Sequence, residues 1–447
     1  MSTVMQSVVP HDTYLTGLLP ATATPQTIPA TPQYTAPEWL TALRTEAAQR
    51  VRALPFPTTR DEEWRFSDFS LMCKTTFAPA IVAPALTLTD IEPFILPEAA
   101  NSRLVFVNGT YAAHLSSSTL PSGVTAVPFT TASNTDMLRT HLAQHATFQN
   151  EAFVALNTSH MQGGALIVLS KNTSCTTPFH LLFINTASTT PVASYPRCLL
   201  VAEAGSTGTL IEDYVCIAQP TYFTNAVTEI VIADDATVQH TRLQRESRSA
   251  FHVGYGAVRL GRNSCYDSNN IAFGARLSRY NLSITQSAEG ATCTLNGLAL
   301  ISGRQMADTH TVMDHTQPNG NSAQLHKCIV DGGAHAVFNG KIFVRKDAQH
   351  TNSTQSSRNL LLSSKGRVDT KPQLEIFADD VKCAHGATVS QLETEEMFYL
   401  NSRGLNATTA RNLLIYAFAE EIIDKVPVAS LKQHLSQTVS NQMGEVV

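Results

Sequence analysis

The 447-residue chain carries 31 Lys and Arg against 36 Asp and Glu, a formal net charge of -5, with 15% charged and 43% hydrophobic residues. It has no Lys/Arg run to grip phosphates or an anionic bilayer, and no apolar run near the roughly 18 residues of a membrane span, which excludes nucleic acid and membrane as partners. Thr, Ser and Asn take the place of the missing charges, a balance that favours β structure over helical bundles.

Residues 1–36 are rich in Ala, Thr and Pro, and a mobile segment without core is expected there. The first 43 residues hold no Lys or Arg, which argues against a secretory n-region or an Arg-rich transit peptide and favours a bacterial cytoplasmic location. A helical region is expected over 37–100. Pro37 suits a helix start, and Leu40, Leu43, Ala47 and Val51 share one face of a helix from Glu38 to Leu54, which ends before Pro55.

Over 101–389 the pattern changes to short β-rich runs, among them Ala165 to Leu169, His180 to Ile184, Cys198 to Ala202 and Glu229 to Ala233. Turns at Gly205-Ser206, Asp234-Asp235, Arg262-Asn263, Glu289-Gly290, Gly332-Gly333 and Lys365-Gly366 start about 29, 28, 27, 43 and 33 residues apart, a spacing expected of solenoid coils. The longer interval calls for an insertion or a differently built coil. The fold expected is mainly β, a right-handed parallel β-helix flanked by small N-terminal and C-terminal helical domains.

A C-terminal helical domain is expected over 390–447. Ser390 and Glu393 have capping-box spacing before Leu392, Met397 and Leu400, and Gly404 stands at a stop position. Asn406 can cap a second helix whose apolar stripe is Ala410, Leu413, Leu414, Ala417 and Phe418, with Pro427 beyond it. A third helix runs through Leu431 and Leu435.

The eight cysteines, Cys73, Cys175, Cys198, Cys216, Cys265, Cys293, Cys328 and Cys383, show no CxxC pair or zinc-type spacing, as expected of free thiols in a reducing compartment. Sequons such as Asn108-Gly-Thr110 occur by chance in so Thr-rich a chain. Gly340-Lys341 lacks both the following Ser/Thr and the upstream Gly of a phosphate loop, and Gly254-Tyr255-Gly256 lacks the rest of a dinucleotide fingerprint. His310, Asp314 and His315 suit a polar edge of hydrogen-bonded histidines better than a metal site. Cys383 and His385, two apart on a strand, would present a thiolate and an imidazole on one face, a pair suited to iron or zinc but too small for a closed site. By residue chemistry alone, a buried structural cysteine beside a satisfied histidine is the plainer reading.

The run from Val368 to Thr388, with its Cys383-Ala-His-Gly-Ala-Thr388 core, resembles the last β-helix coil of the SufB/SufD family of iron-sulfur cluster assembly scaffolds. The likeness continues through Met397-Phe-Tyr-Leu400 and Ser402-Arg-Gly-Leu405, and at the other end through Thr59-Arg-Asp-Glu-Glu-Trp-Arg-Phe-Ser-Asp68. Within the family, the Cys-x-His-Gly-Ala-Thr signature is similar to the SufD branch. SufB carries His-Glu-Ala-Thr there and a cysteine one coil earlier, where residues 361–372 have none.

That resemblance implies a non-catalytic subunit that pairs with SufB through the last β-helix strands and binds the SufC ATPase through its C-terminal helices. It implies no cofactor held stably by the chain alone, a transient iron-sulfur cluster in the complex, and pairing with a second copy when the chain is isolated. His385 is then a candidate cluster ligand at the SufB junction, with Cys383 the lesser candidate. Leu405, Tyr416 and Phe418 are candidate SufC contacts. Two other readings stand beside it: a secreted β-helix that binds or cleaves polysaccharide, and a SufB-like scaffold that accepts sulfur itself.

Overall fold

The computed structural model describes residues 11–19, 36–80, 86–132, 136–161, 163–186 and 190–444. Before the solenoid come α1 (His11–Gly17), α2 (Glu38–Ala53), β1 (Ala78–Pro79), α3 (Leu88–Ile91), β2 (Ser102–Val107), β3 (Thr110–Tyr111), β4 (Ser117–Ser118) and β5 (Val124–Pro128). Three helices follow, α4 (Phe129–Ala132), α5 (Asp136–His141) and α6 (Ala152–His160). The lower solenoid comprises β6 (Ala165–Leu169), β7 (Phe179–Asn185), β8 (Val192–Ser194), β9 (Arg197–Ala202), β10 (Thr207–Cys216), β11 (Tyr222–Ile232), β12 (Thr237–Arg245) and β13 (Phe251–Leu260). Above it stack β14 (Cys265–Ala272), β15 (Leu277–Gln286), β16 (Thr292–Ile301), β17 (Met306–His315), β18 (Asn321–Val330), β19 (His335–Val344), β20 (Asn352–Leu361), β21 (Arg367–Ile376) and β22 (Lys382–Ser390). Helices α7 (Thr394–Ser402), α8 (Ala407–Ile423) and α9 (Ala429–Gly444) close the chain.

From β9 onward, strands alternate between two sheets. The first runs β21-β19-β17-β15-β13-β11-β9-β6-β5 and the second β22-β20-β18-β16-β14-β12-β10-β7-β2-β3. The result is a β-solenoid of about eight turns, in which every coil pairs in parallel with the coils above and below. Register partners lie one coil apart, from the 26 residues between Phe251 and Leu277 to the 33 between Ala165 and Cys198.

This geometry corrects the reading of the 43-residue turn interval: no insertion is present. The coil turns form two columns, and Gly332-Gly333 and Lys365-Gly366 belong to the opposite column from the first four. The overlooked member of the first column is Pro318-Asn319-Gly320. That column has a physical signature: Asn172, Gly205, Asp235, Asn263, Gly290, Asn319 and His350 all have φ between 51° and 74°. Each donates its backbone N–H to a carbonyl of the next coil, Asp235 to Arg262 and Asn319 to Gln349 among them. Asn, Asp and Gly tolerate this left-handed conformation best.

Below the last coil both faces of each sheet are covered, so the strands there are mostly buried. The lumen is lined by Leu200, Ile230, Val258, Ile284, Met313 and Ile342. Outside the first sheet, Phe56, Trp64, Phe69, Phe77 and Phe153 pack on Phe223, Phe251 and Val337. Outside the second, α8 and α9 lay Ile415, Ile422, Leu431 and Leu435 on Leu243, Ile271, Leu298 and Ile329.

Several local expectations are revised. Residues 1–10 and 20–35 of the expected mobile segment lie outside the described residues, but 11–19 contribute core: Tyr14 and Leu15 are buried, and the Tyr14 hydroxyl donates to the carbonyls of Met72 and Thr75. Helices α4, α5 and α6 stand in a stretch read as β-rich. The Ser390–Glu393 capping box does not form, because Ser390 ends β22 and α7 starts at Thr394 without a side-chain cap. Asn406 does cap α8, its Oδ1 accepting the Thr409 N–H at 2.8 Å. The α8 stripe is rotated: the buried residues are Ala410, Ile415, Ala419, Ile422 and Ile423, while Leu413 is exposed.

Candidate functional site

The C-terminal end of the solenoid is where its repeating hydrogen bonds run out. Among the described residues, strand β21 pairs only with β19, and β22 only with β20, so each sheet ends there on an unpaired parallel edge. On β20, Ser353, Gln355, Ser357 and Asn359 point into the lumen and are buried. Their register partners on β22 are Cys383, His385, Ala387 and Val389. With no further coil above, this inward row lies open: His385 is exposed, Val389 is 48% exposed, and only Cys383 is partly buried. Ile376 and Phe377, at 41% and 57% exposure, complete an apolar rim.

Cys383 and His385 thus share a face, as two residues of alternating strand must. Burial pushes the Cys383 thiol above its ordinary value. Among the described residues, no group of three or more His, Cys, Asp or Glu could hold a metal ion; the two alone leave most of a coordination shell to come from elsewhere.

Two polar columns descend the lumen beneath this pair, and both escaped sequence reading. The first is polarised by an amide. Gln286 Nε2 donates to the carbonyls of Ala288 (3.1 Å) and Pro318 (3.3 Å), so its Oε1 must accept from His315 Nδ1 at 2.6 Å. His315 Nε2 is therefore an acceptor and takes the Ser322 hydroxyl at 2.9 Å, while Ser322 Oγ accepts from Ser353 at 2.6 Å. Burial lowers the His315 pKa to about 4, which keeps the ring neutral. Ser353, the register partner of Cys383, ends the column with acceptor capacity to spare.

In the second column, Gln355 Nε2 donates to Gln324 Oε1 at 2.9 Å and Gln324 Nε2 to Thr311 Oγ1 at 2.9 Å. Gln355 Oε1 is buried without a hydrogen-bond partner among the described residues, one coil beneath His385. Such an orphan acceptor is costly in a folded protein. Its amide lies over Gly340, where a Cβ would come within 1.9 Å of Gln355 Nε2. Gly340-Lys341 is thus the middle of a packed strand, not a phosphate loop.

The comparisons with known proteins agree with this architecture. Residues 183–418 match the family model described as SUF system FeS cluster assembly, SufBD core domain, and residues 31–181 match the SufBD protein N-terminal region. The chain belongs to the SufBD family. An iron-sulfur cluster assembly SufBD family protein of Synechocystis is 44% identical over 408 residues, covering 89% of this chain and 90% of that one. Iron-sulfur cluster assembly protein SufD of Escherichia coli is 32% identical over 406 residues, covering 88% and 91%, and SufD of Bacillus subtilis is 26% identical over 423 residues, covering 91% and 94%. Family membership displaces the polysaccharide reading.

In this SufBD protein, His310 is not on a polar edge but buried beneath the N-terminal segment. Its Nε2 is 3.0 Å from Asp308 Oδ1 and its Nδ1 3.4 Å from Glu63 Oε2. Ser67 and Arg279 also bond Asp308, and Arg279 stacks on Trp64 at 4.0 Å. The histidine belongs to an anchor that ties the Arg60–Asp68 segment to the solenoid wall.

The C-terminal helices divide the proposed contact residues. Tyr416 and Phe418 pack against the core under α8, where Lys327 Nζ sits 4.1 Å over the Phe418 ring and donates to its carbonyl at 2.9 Å. Leu405 is half-buried between α7 and α8. The apolar side chains that protrude are Phe398 at 74% exposure, Tyr399 at 56% and Leu413 at 46%. Helical periodicity named Leu413 as core because a one-residue rotation of the stripe is invisible without knowing which face meets the sheet.

Proposed function

We propose that this SufBD family protein is a non-ATPase scaffold subunit for iron-sulfur cluster assembly, joined to SufB at the open end of its solenoid and to the SufC ATPase through its C-terminal helices. The observation that carries this reading is the pair of unpaired parallel edges with Cys383 and His385 between them. An open edge is a template for another strand, and an exposed apolar rim beside it adds area for a partner to cover. A partner solenoid docked there would continue both sheets and enclose the two side chains in a site shared between chains. His385 then supplies an imidazole to a nascent cluster, with Cys383 as a second, softer donor.

The protruding Phe398, Tyr399 and Leu413 form the outer part of the surface offered to SufC, and Leu405, Tyr416 and Phe418 shape it from beneath. ATP-driven dimerisation of two SufC subunits would then shift the SufB and SufD-like arms and expose the junction. The protein works in the cytoplasm on this reading.

Co-expression with SufB and SufC tests it. A stable ternary complex is expected, and deletion of residues 390–447 should release SufC while SufB stays bound. Failure to co-purify across a range of salt would overturn the proposal. Because His385 is exposed, His385→Ala should leave the complex intact yet lower the cluster yield read by absorbance after anaerobic reconstitution; an unchanged yield removes His385 from the site.

A further inference from the structure

Far from the open end, the chain turns back after α5 over the outer face of the first sheet. The turn is clamped by one carboxylate: Glu229, fully buried on β11, accepts the backbone N–H groups of Ala143 (2.9 Å), His145 (2.9 Å) and Ala146 (3.0 Å) and pairs with Arg197. Ala143 adopts φ 60° to make the reversal. His145 is thereby returned over His141, four residues earlier. The two half-buried rings stack with centroids 5.8 Å apart and 24° between their planes, and His141 Nδ1 lies 3.5 Å from His145 Nε2.

That separation is informative. Two imidazole nitrogens bound to one tetrahedral cation, each at about 2.1 Å, stand about 3.4 Å apart. The clamp holds the backbone of the second histidine, so little ordering remains to be done on binding. We propose that His141 and His145 form an open, two-histidine site for a late first-row divalent cation such as zinc, with water completing the shell. Paired imidazoles select zinc, nickel or copper over magnesium and calcium, which demand oxygen ligands. In the metal-free pair one ring donates its N–H to the other; on loading, that ring carries its proton on its other nitrogen, and no net proton is released.

The charges that face the pair are Glu229 and Arg259 of β13. Glu229 is saturated by its three N–H donors and Arg197, so it adds field but no ligand. Arg259, whose Nε donates to Ser287 Oγ at 3.1 Å, opposes the cation. The site is therefore exchangeable, and removing Arg259 should tighten it.

The test is diethylpyrocarbonate labelling read residue by residue by mass spectrometry, with zinc chloride against magnesium chloride. It is run in a Cys383→Ser, His385→Ala background, so that the open end contributes nothing. Zinc should suppress labelling of His141 and His145 by roughly tenfold while exposed His114 is unchanged, and magnesium should do nothing. Arg259→Gln should lower the zinc concentration for half-protection severalfold. His145→Ala should make His141 labelling independent of zinc. Labelling of His141 and His145 that is unaltered by millimolar zinc, or a half-protection point that Arg259→Gln leaves in place, would overturn the assignment.

Discussion

At the N-terminal end of the solenoid, the first sheet finishes on β5, antiparallel to β6, and the second on the short strands β3 and β4, antiparallel to β2; at the C-terminal end, β21 and β22 are left as parallel edges. Every residue of β2 is buried, and none of β22 is. The same strand chemistry therefore meets two treatments. A reversal of strand direction, with α4 to α6 packed beside it, ends the stack at one end and removes the template for addition. The other end stops in the middle of the repeat and leaves that template open. Buried charge follows the same division: Arg197 and Glu229 are sealed near the first end, whereas Arg367 and Asp369 near the last are exposed or half-exposed.

The contrast can be broken most severely at its sealed end. Arg197→Ala leaves the Glu229 carboxylate buried beside the emptied position, and a loss of about 3–5 kcal/mol is expected in denaturant melts. Arg367→Ala, by comparison, should cost no more than about 1 kcal/mol. Equal losses would mean that the two ends are equally ordered.

Next in size is the anchor of the N-terminal segment. Burial opposes the charge on His310, but Asp308 and Glu63 outweigh it, so its pKa in the fold is raised. A raised pKa stabilises the folded state fully below the unfolded value of about 6.5, and that contribution disappears as pH rises through the folded value. Burial likewise opposes the Asp308 charge, but Arg279 and His310 hold the carboxyl down at about 2; its contribution is present above the usual carboxylate range and fades as pH falls toward that value. The stability of the wild type relative to His310→Gln, read from paired melts, should thus shrink as pH rises from 6 into the alkaline range. A difference that does not vary with pH would detach His310 from the anchor.

The smallest effect on stability, and the sharpest on assembly, is expected from Ala387→Pro. Lys382 N–H bonds the Thr351 carbonyl, so in a parallel ladder the even-numbered residues of β22 face β20 and the odd-numbered ones face the open edge. Proline at 387 removes only an outward N–H and should cost less than about 1 kcal/mol. Pull-down of SufB should nevertheless fail; intact binding would show that the partner does not add to this edge.

How much of this was legible depended on whether a feature is local. Ala165 to Leu169 reads as a strand and is one, because β-branched and aliphatic residues between turns leave few alternatives. Ala152–His160 was missed as a helix because eight of its nine residues are buried, which erases the amphipathic period. The Cys383–His385 pair was visible as strand alternation. Its supports carry no shared motif: Ser353 stands 31 residues after Ser322, and Ser322 stands 7 after His315 on the neighbouring strand, so only the coil geometry brings them into line.

By itself the sequence determined most solenoid strands, the C-terminal helices, the coil repeat and the alternation that sets Cys383 and His385 on one face, since propensity, turn chemistry and alternation act over a few residues. Tertiary structure alone decided which face of α8 is core, which end of the solenoid is closed, and that His141 meets His145 through a carboxylate on β11. Those outcomes depend on what each surface packs against, and residues distant in the chain supply that.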